Sequence, residues 1–264
     1  EEDLPPKDLA PLPGFEAHAA RVTATYLTNR RDRHSIAKLS LLSQPPVRVQ
    51  PSEGNTGMLL VAGLGSGEAS EPSHWVEIEP LLFQREGSED RIAFREDPNG
   101  EITHLFARGH TPGAFDKASW YQNPTFHQVL LGACTVVFLT VAIGWPLAAL
   151  FRRLSGRRAR YAPAVRHARW LAFGVSTLNP LFPVLLVVLT SIHALPFGVA
   201  PSVRAILALP LLTTAMTVGL PILGARAWTQ SWSAPGRVHY ALATLAAFAF
   251  TWFLGHWNLL GFQF

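Results

Sequence analysis

An antiparallel β domain followed by a four-helix membrane bundle, an α+β multidomain membrane protein, is the fold class this chain predicts, and three observations carry that reading. All eighteen Asp and Glu lie between Glu1 and Asp116, and none follows. The first 117 residues set twelve Lys and Arg against those eighteen acids, net −6, whereas the remainder holds ten arginines and no acid. A carboxylate near the bilayer centre costs roughly 2.5–3.5 kcal/mol on the mildest scale, so an acid-free stretch rich in Leu, Ala, Val, Phe and Trp is what a membrane selects. Secondly, this stretch divides into four apolar runs of membrane-crossing length. Thirdly, the residues before it fall into short runs punctuated by Gly, Pro, Asn and Ser, with no sustained 3.6-residue period.

Residues 1–20 open the chain as a charged, Pro-rich linker, beginning Glu1-Glu2-Asp3-Leu4-Pro5-Pro6. Without a basic and then apolar opening, no signal peptide is expected within it, and its composition leaves room for a preceding segment. Residues 21–119 are expected to form the β domain. The predicted strands are 22–27, 35–42, 47–50, 58–62, 75–79, 82–85, 91–95, 102–107 and 114–118. Trp75-Val76-Glu77-Ile78-Glu79 alternates apolar and acidic, as a strand with one wet face does. Glu96-Asp97-Pro98-Asn99-Gly100 between two such runs is a hairpin signal. Eight or nine tightly connected strands predict a lipocalin-like up-and-down barrel or a curled sandwich, with a packed interior favoured over a ligand cavity. The one cysteine, Cys134, lies in an apolar run, so an intrachain disulfide is excluded and the core alone must hold the β domain.

Residues 120–264 are expected to be the membrane domain, with spans at about 128–150, 170–192, 203–223 and 240–259, each near the roughly 20 residues that cross a 30 Å core. Seven arginines, from Arg152 to Arg169, stand between spans one and two. Arg226 and Arg237 stand between three and four, and only Arg204 between two and three. The positive-inside rule therefore puts the arginine-rich loops in the cytoplasm and the β domain, the 196–202 loop and the C-terminus on the outer, periplasmic side of a bacterial inner membrane. Tryptophans near the span ends, such as Trp145, Trp170, Trp228, Trp232, Trp252 and Trp257, fit an aromatic belt. Because the basic residues flank apolar spans, the high isoelectric point points to a lipid bilayer and not to nucleic acid.

Several motifs invite chemistry. Ion transport is disfavoured, because no carboxylate lies within a span. His127, His193 and His256 fall near one set of span ends, where two could face each other as haem or metal ligands, but no reinforcing His or Cys spacing accompanies them. The run Gly63-Leu64-Gly65-Ser66-Gly67 lacks the Gly-Lys-Ser/Thr of a phosphate loop and reads as a hairpin tip. Ser35-Ile36-Ala37-Lys38, Tyr121-Gln122-Asn123 and His110-Thr111-Pro112-Gly113 together suggest a serine acyl-enzyme site. Ser35 and Lys38 sit in a predicted strand, where positions three apart point to opposite faces, and Tyr121 follows the third motif instead of preceding it. They are read as chance matches, so the chain is expected to carry no catalytic residue, no metal ligand and no cofactor.

One resemblance covers the chain almost end to end. Ala24-Thr25-Tyr26, Lys38-Leu39, Trp75-Val76-Glu77-Ile78-Glu79-Pro80-Leu81-Leu82-Phe83 and Arg91-Ile92-Ala93-Phe94-Arg95-Glu96-Asp97 carry its first part. Thr103-His104-Leu105-Phe106, Trp120-Tyr121, Trp145-Pro146-Leu147 and Trp257-Asn258-Leu259-Leu260-Gly261-Phe262 carry the rest. These strings resemble the C-terminal region of membrane-bound bacterial serine hydrolases of the class C beta-lactamase and penicillin-binding-protein type. There a Pro-rich linker, a small β domain and a four-span tail follow the catalytic domain. The nucleophile-bearing domain has no counterpart in this sequence, and Ala24 stands where the family's first strand has Gly, so no catalytic residue carries over. The resemblance implies a non-catalytic membrane anchor and accessory module for such a hydrolase. The alternative from another class is a structural subunit of a larger inner-membrane complex that binds haem, pigment, lipid or neighbouring helices.

Overall fold

The computed structural model describes residues 12–64, 71–108, 113–156, 161–192, 205–230 and 232–261. It forms two compact units, Glu1–Asp32 with Ser40–Phe126, and Arg33–Leu39 with His127–Phe264.

The first unit is a closed eight-stranded antiparallel barrel in sequential order. Its strands are β1 (Ala24–Thr28), β2 (Val47–Pro51), β3 (Met58–Ala62), β4 (Ser73–Glu79), β5 (Leu82–Arg85), β6 (Arg91–Glu96), β7 (Ile102–Ala107) and β8 (Ala114–Lys117). β1 pairs with β8 through Leu27 opposite Asp116, which closes the sheet and removes its edges. Of the barrel and the sandwich that the strand count allowed, the chain forms the barrel. Its core is filled by Tyr26, Leu59, Trp75, Phe83, Phe94 and Leu105 among others. Closure converts each strand's inward residues into a single core, and aromatic pairs such as Phe83 edge-on to Phe94 at 5.6 Å fill its breadth.

Three expectations for this unit need correcting. The stretch read as linker contains a helix, α1 (Phe15–Val22), whose Phe15, Ala19 and Val22 join the barrel core. Their spacing of four and three is one helical face, too short a run to stand out beside the Pro-rich opening. The strand expected at 35–42 is a 3-10 helix, Ile36–Leu42. Ile36, Leu39 and Leu42 recur every third residue, which is the period of that helix and not of a strand. The acidic face of β4, expected to be wet, is exposed only at Glu79. Trp75 joins the core and Glu77, two residues on and so on the same face, is fully buried. Its Oε1 accepts the N–H of Leu81 at 3.0 Å and lies 2.8 Å from His18 Nδ1. Leu81 has φ 62, a left-handed conformation in the β4–β5 turn that an ordinary side chain rarely adopts, and the buried carboxylate holds it there.

The second unit contains α2 (Pro124–Ala142), α3 (Gly144–Leu154), α4 (Pro163–Ile192), α5 (Ala208–Trp228) and α6 (Ala234–His256). Four of its segments are long and apolar enough to cross a membrane: Pro124–Leu154, Pro163–Val188, Ala208–Trp228 and Ala234–His256. Three start some residues before the expected spans, because Pro124, Pro163 and Pro235 mark helix starts whose polar first turns hydropathy trims away. The first apolar run is two helices, since Pro146 has no N–H to give Ala142. The prolines inside α4 and α5 are Pro180, Pro183 and Pro221. The residues four before them, Ser176, Asn179 and Thr217, are all buried polar residues, at the turns whose carbonyls lose a donor. Phe138, Phe182, Leu220 and Phe250 form the interior, while Val129, Val136, Val184 and Leu245 are exposed, as a lipid solvent requires. Of the belt tryptophans, Trp232 and Trp257 are buried within this unit.

Candidate functional site

The His256 end of α6 gathers more of the sequence-singled residues than any other place described. The helix closes in a Schellman turn. Leu259 N–H donates to Leu254 O at 2.8 Å and Asn258 N–H to Gly255 O at 3.3 Å. Asn258 takes the left-handed φ of 56 that this turn needs and that Asn tolerates better than other side chains. Its amide Nδ2 then donates to Arg33 O at 3.0 Å and Ser35 O at 3.2 Å. In return the Lys38 ammonium donates to the His256 carbonyl and lies 5.6 Å from the Trp257 ring centroid. A cation there meets a carbonyl that the helix leaves unpaired, at the negative end of the helix dipole, over an aromatic face. The helical unit thus takes up seven residues of the β1–β2 connection, with polar bonds given in both directions.

Beneath this cap His127, in the first turn of α2, is completely buried. Its ring stacks on His256 with centroids 4.3 Å apart, on Trp252 at 5.4 Å, and meets the Trp257 ring edge-on at 5.1 Å. Two of the three expected histidines are therefore brought together, and His193 lies outside the described residues. The arrangement does not suit a shared metal or haem iron, because imidazole lone pairs lie in the ring planes and stacked rings cannot both aim into the gap between their faces. Among the described residues no group of three or more His, Cys, Asp or Glu converges as metal ligands.

The acyl-enzyme motif fares differently from its sequence reading. Ser35 and Lys38 stand at and within a 3-10 helix, so the strand objection to their sharing a face does not hold. The chemistry they are given is structural. Ser35 Oγ accepts the N–H of Ala37 at 3.2 Å, and the Lys38 amine is the donor to His256 O described above. These bonds tie both side chains to nearby backbone. Tyr121 belongs to the barrel unit, in the 3-10 turn Trp120–Gln122, and is exposed. Residues 109–112 and 65–67, which hold the third motif and most of the Gly-rich run, lie outside the described residues. In the barrel, burial raises the Tyr26 phenol well above its ordinary range, and its hydroxyl donates to Val22 O at 2.8 Å.

Sequence reasoning missed Asn258 as a positioning residue. The signal was present, an Asn just beyond the last turn of an apolar helix, but its bonds run to residues more than two hundred positions away. No family model matches this chain, and neither a curated protein nor a solved structure shows significant similarity to it.

Proposed function

We propose that this chain is a non-catalytic membrane anchor and accessory module for a serine hydrolase of the beta-lactamase or penicillin-binding-protein type. In this reading the helices lie in a bacterial inner membrane with the arginine-rich loops cytoplasmic and the barrel periplasmic. The observation that carries it is the α6 cap. Lys38-Leu39 and Trp257-Asn258-Leu259, two of the strings on which the resemblance rests, lie more than two hundred residues apart in sequence and meet in one hydrogen-bonded cluster. A barrel core filled with aromatic side chains, and a Lys38 amine tied to a helix carbonyl, also support a scaffold in preference to an enzyme.

The test is activity-based labelling of membranes that contain the tagged full chain, with a fluorescent penicillin and a fluorophosphonate. Label is expected on a hydrolase domain joined to, or retained with, this chain, and is expected to survive Ser35→Ala. Stoichiometric labelling within residues 1–264 that disappears in Ser35→Ala would overturn the reading. A purified chain that retains no labelled domain and shows a Soret or pigment band would replace it with the complex-subunit alternative.

A further inference from the structure

At the other end of the helices, α3 and α4 border an open cavity of about 300 Å3 lined by Trp145, Arg152, Tyr161, Arg166, Arg169 and Trp170 among others. The Arg169 guanidinium contacts two rings, its carbon 4.1 Å from the Trp145 ring centroid and 4.7 Å from that of Tyr161. A guanidinium in cation–π contact with two rings keeps N–H donors to give to an anion. The Trp145 wall is itself fixed. Its indole N–H donates to His239 Nδ1 at 3.0 Å, and His239 Nε2 lies 2.9 Å from Thr140 Oγ1, whose hydroxyl donates to Val137 O at 2.6 Å. With Nδ1 accepting and the Thr140 proton directed elsewhere, Nε2 carries the hydrogen and the imidazole is neutral. The charge in the cavity is therefore the arginines' own.

Among the described residues none of Arg152, Arg166 and Arg169 pairs with a carboxylate, and the chain has no acid after Asp116. Three like charges around one aromatic-walled cavity repel one another unless an anion enters. Beside them on α3, Leu147, Leu150 and Phe151 are exposed, on a segment apolar enough to cross a membrane. A diffusing phosphate would gain nothing from that apolar surface, whereas acyl chains attached to a phosphate would cover it. We propose that this cavity binds the headgroup phosphate of a net-anionic phospholipid, with Arg169, held by the two rings, as the central ligand and Arg152 and Arg166 flanking it. A zwitterionic lipid would bring its amine toward the same three cations and be disfavoured. The proposal stands independently of the hydrolase reading.

Native mass spectrometry of the full chain in neutral detergent tests it, with phosphatidylglycerol, phosphatidylcholine and inorganic phosphate titrated separately. Phosphatidylglycerol is expected to bind as a discrete adduct at least about tenfold more tightly than phosphatidylcholine, and to lose about tenfold in Arg169→Gln and in Arg166→Gln. Arg226→Gln, at the end of α5, should leave it unchanged. Arg166 is exposed and lies outside the stack, so its variant decides the matter if Arg169→Gln does not fold. Equal binding of the two lipids, or adducts indifferent to both variants, would overturn the proposal. So would inorganic phosphate that displaces the lipid at comparable concentration, which would make the site a free-anion site.

Discussion

At the scale of single residues, short polar groups hold backbone shapes that the chain would otherwise avoid. Glu77 does so for Leu81 from inside the barrel, and Asn258 does so for itself at the end of α6. Asp97 does it in water. Its Oδ1 accepts the N–H groups of Glu101 and Asn99, each at 2.9 Å, and these bonds, that from Glu101 foremost, hold its carboxyl below the ordinary carboxylate range. A folded pKa below the unfolded one means the unfolded chain binds the proton first. The Asp97 contribution to stability is thus fully present above about pH 4 and is lost as pH falls through the lowered folded value. In a carboxyl-detected nuclear magnetic resonance titration, Asp97 should show a midpoint below that of free Asp, and this part of the acid sensitivity should vanish in Asp97→Asn. A midpoint at or above the free value would mean that the turn does not bond its carboxylate. Tyr26 has the opposite sense. Its raised phenol contributes stability that persists below about pH 10 and declines as alkali ionises the unfolded chain.

At the scale of elements, two glycines separate close approach to backbone from close approach to a flexible tip. Gly63, after β3, has φ 81, and a Cβ there would stand 2.5 Å from the Pro46 carbonyl oxygen at the entry to β2. Gly174 in α4 has a helical backbone, and its added Cβ would meet only the Cε of Met216, at 2.8 Å. Gly63→Ala should therefore cost roughly 2 kcal/mol or more, from positive φ and a clash that only a strand shift relieves. Gly174→Ala should stay within about 1 kcal/mol, since Met216 can swing aside and Ala favours the helix. Thermal unfolding of the full chain in detergent, followed by tryptophan fluorescence, measures both. A larger loss at Gly174 than at Gly63 would contradict the β2–β3 geometry.

At the scale of the whole molecule, charge decides the solvent of each unit. The acidic barrel unit and the acid-free helical unit demand different surroundings, and the arginine count between spans sets the proposed orientation. In a Cys134→Ala background, single cysteines at Ser155 and Ser233 should resist an impermeant thiol reagent in intact cells with a permeabilised outer membrane. A cysteine at Ser88, in the β5–β6 turn, should react. The reverse pattern would invert the topology.

Most of the architecture was legible in the sequence because it rests on periodicities and compositions that act locally. Short apolar runs between turn residues gave all eight strands within about two residues at each end, with the ninth, at 35–42, a 3-10 helix, and the Glu96-Asp97-Pro98-Asn99-Gly100 turn joins β6 and β7 as its residues require. Four apolar spans were visible because a bilayer tolerates little else. Tertiary structure alone decided which face of β4 turns inward, since a buried Glu77 is intelligible only once His18 and Leu81 are beside it. It alone recruited α1 into the barrel core, for eight residues with three apolar contacts have no stable helix until a core receives them. It also brought Arg33–Leu39 to the end of α6 and set Arg169 against Trp145 and Tyr161. Such meetings depend on side chains far apart in sequence, whose attraction leaves no mark on local composition.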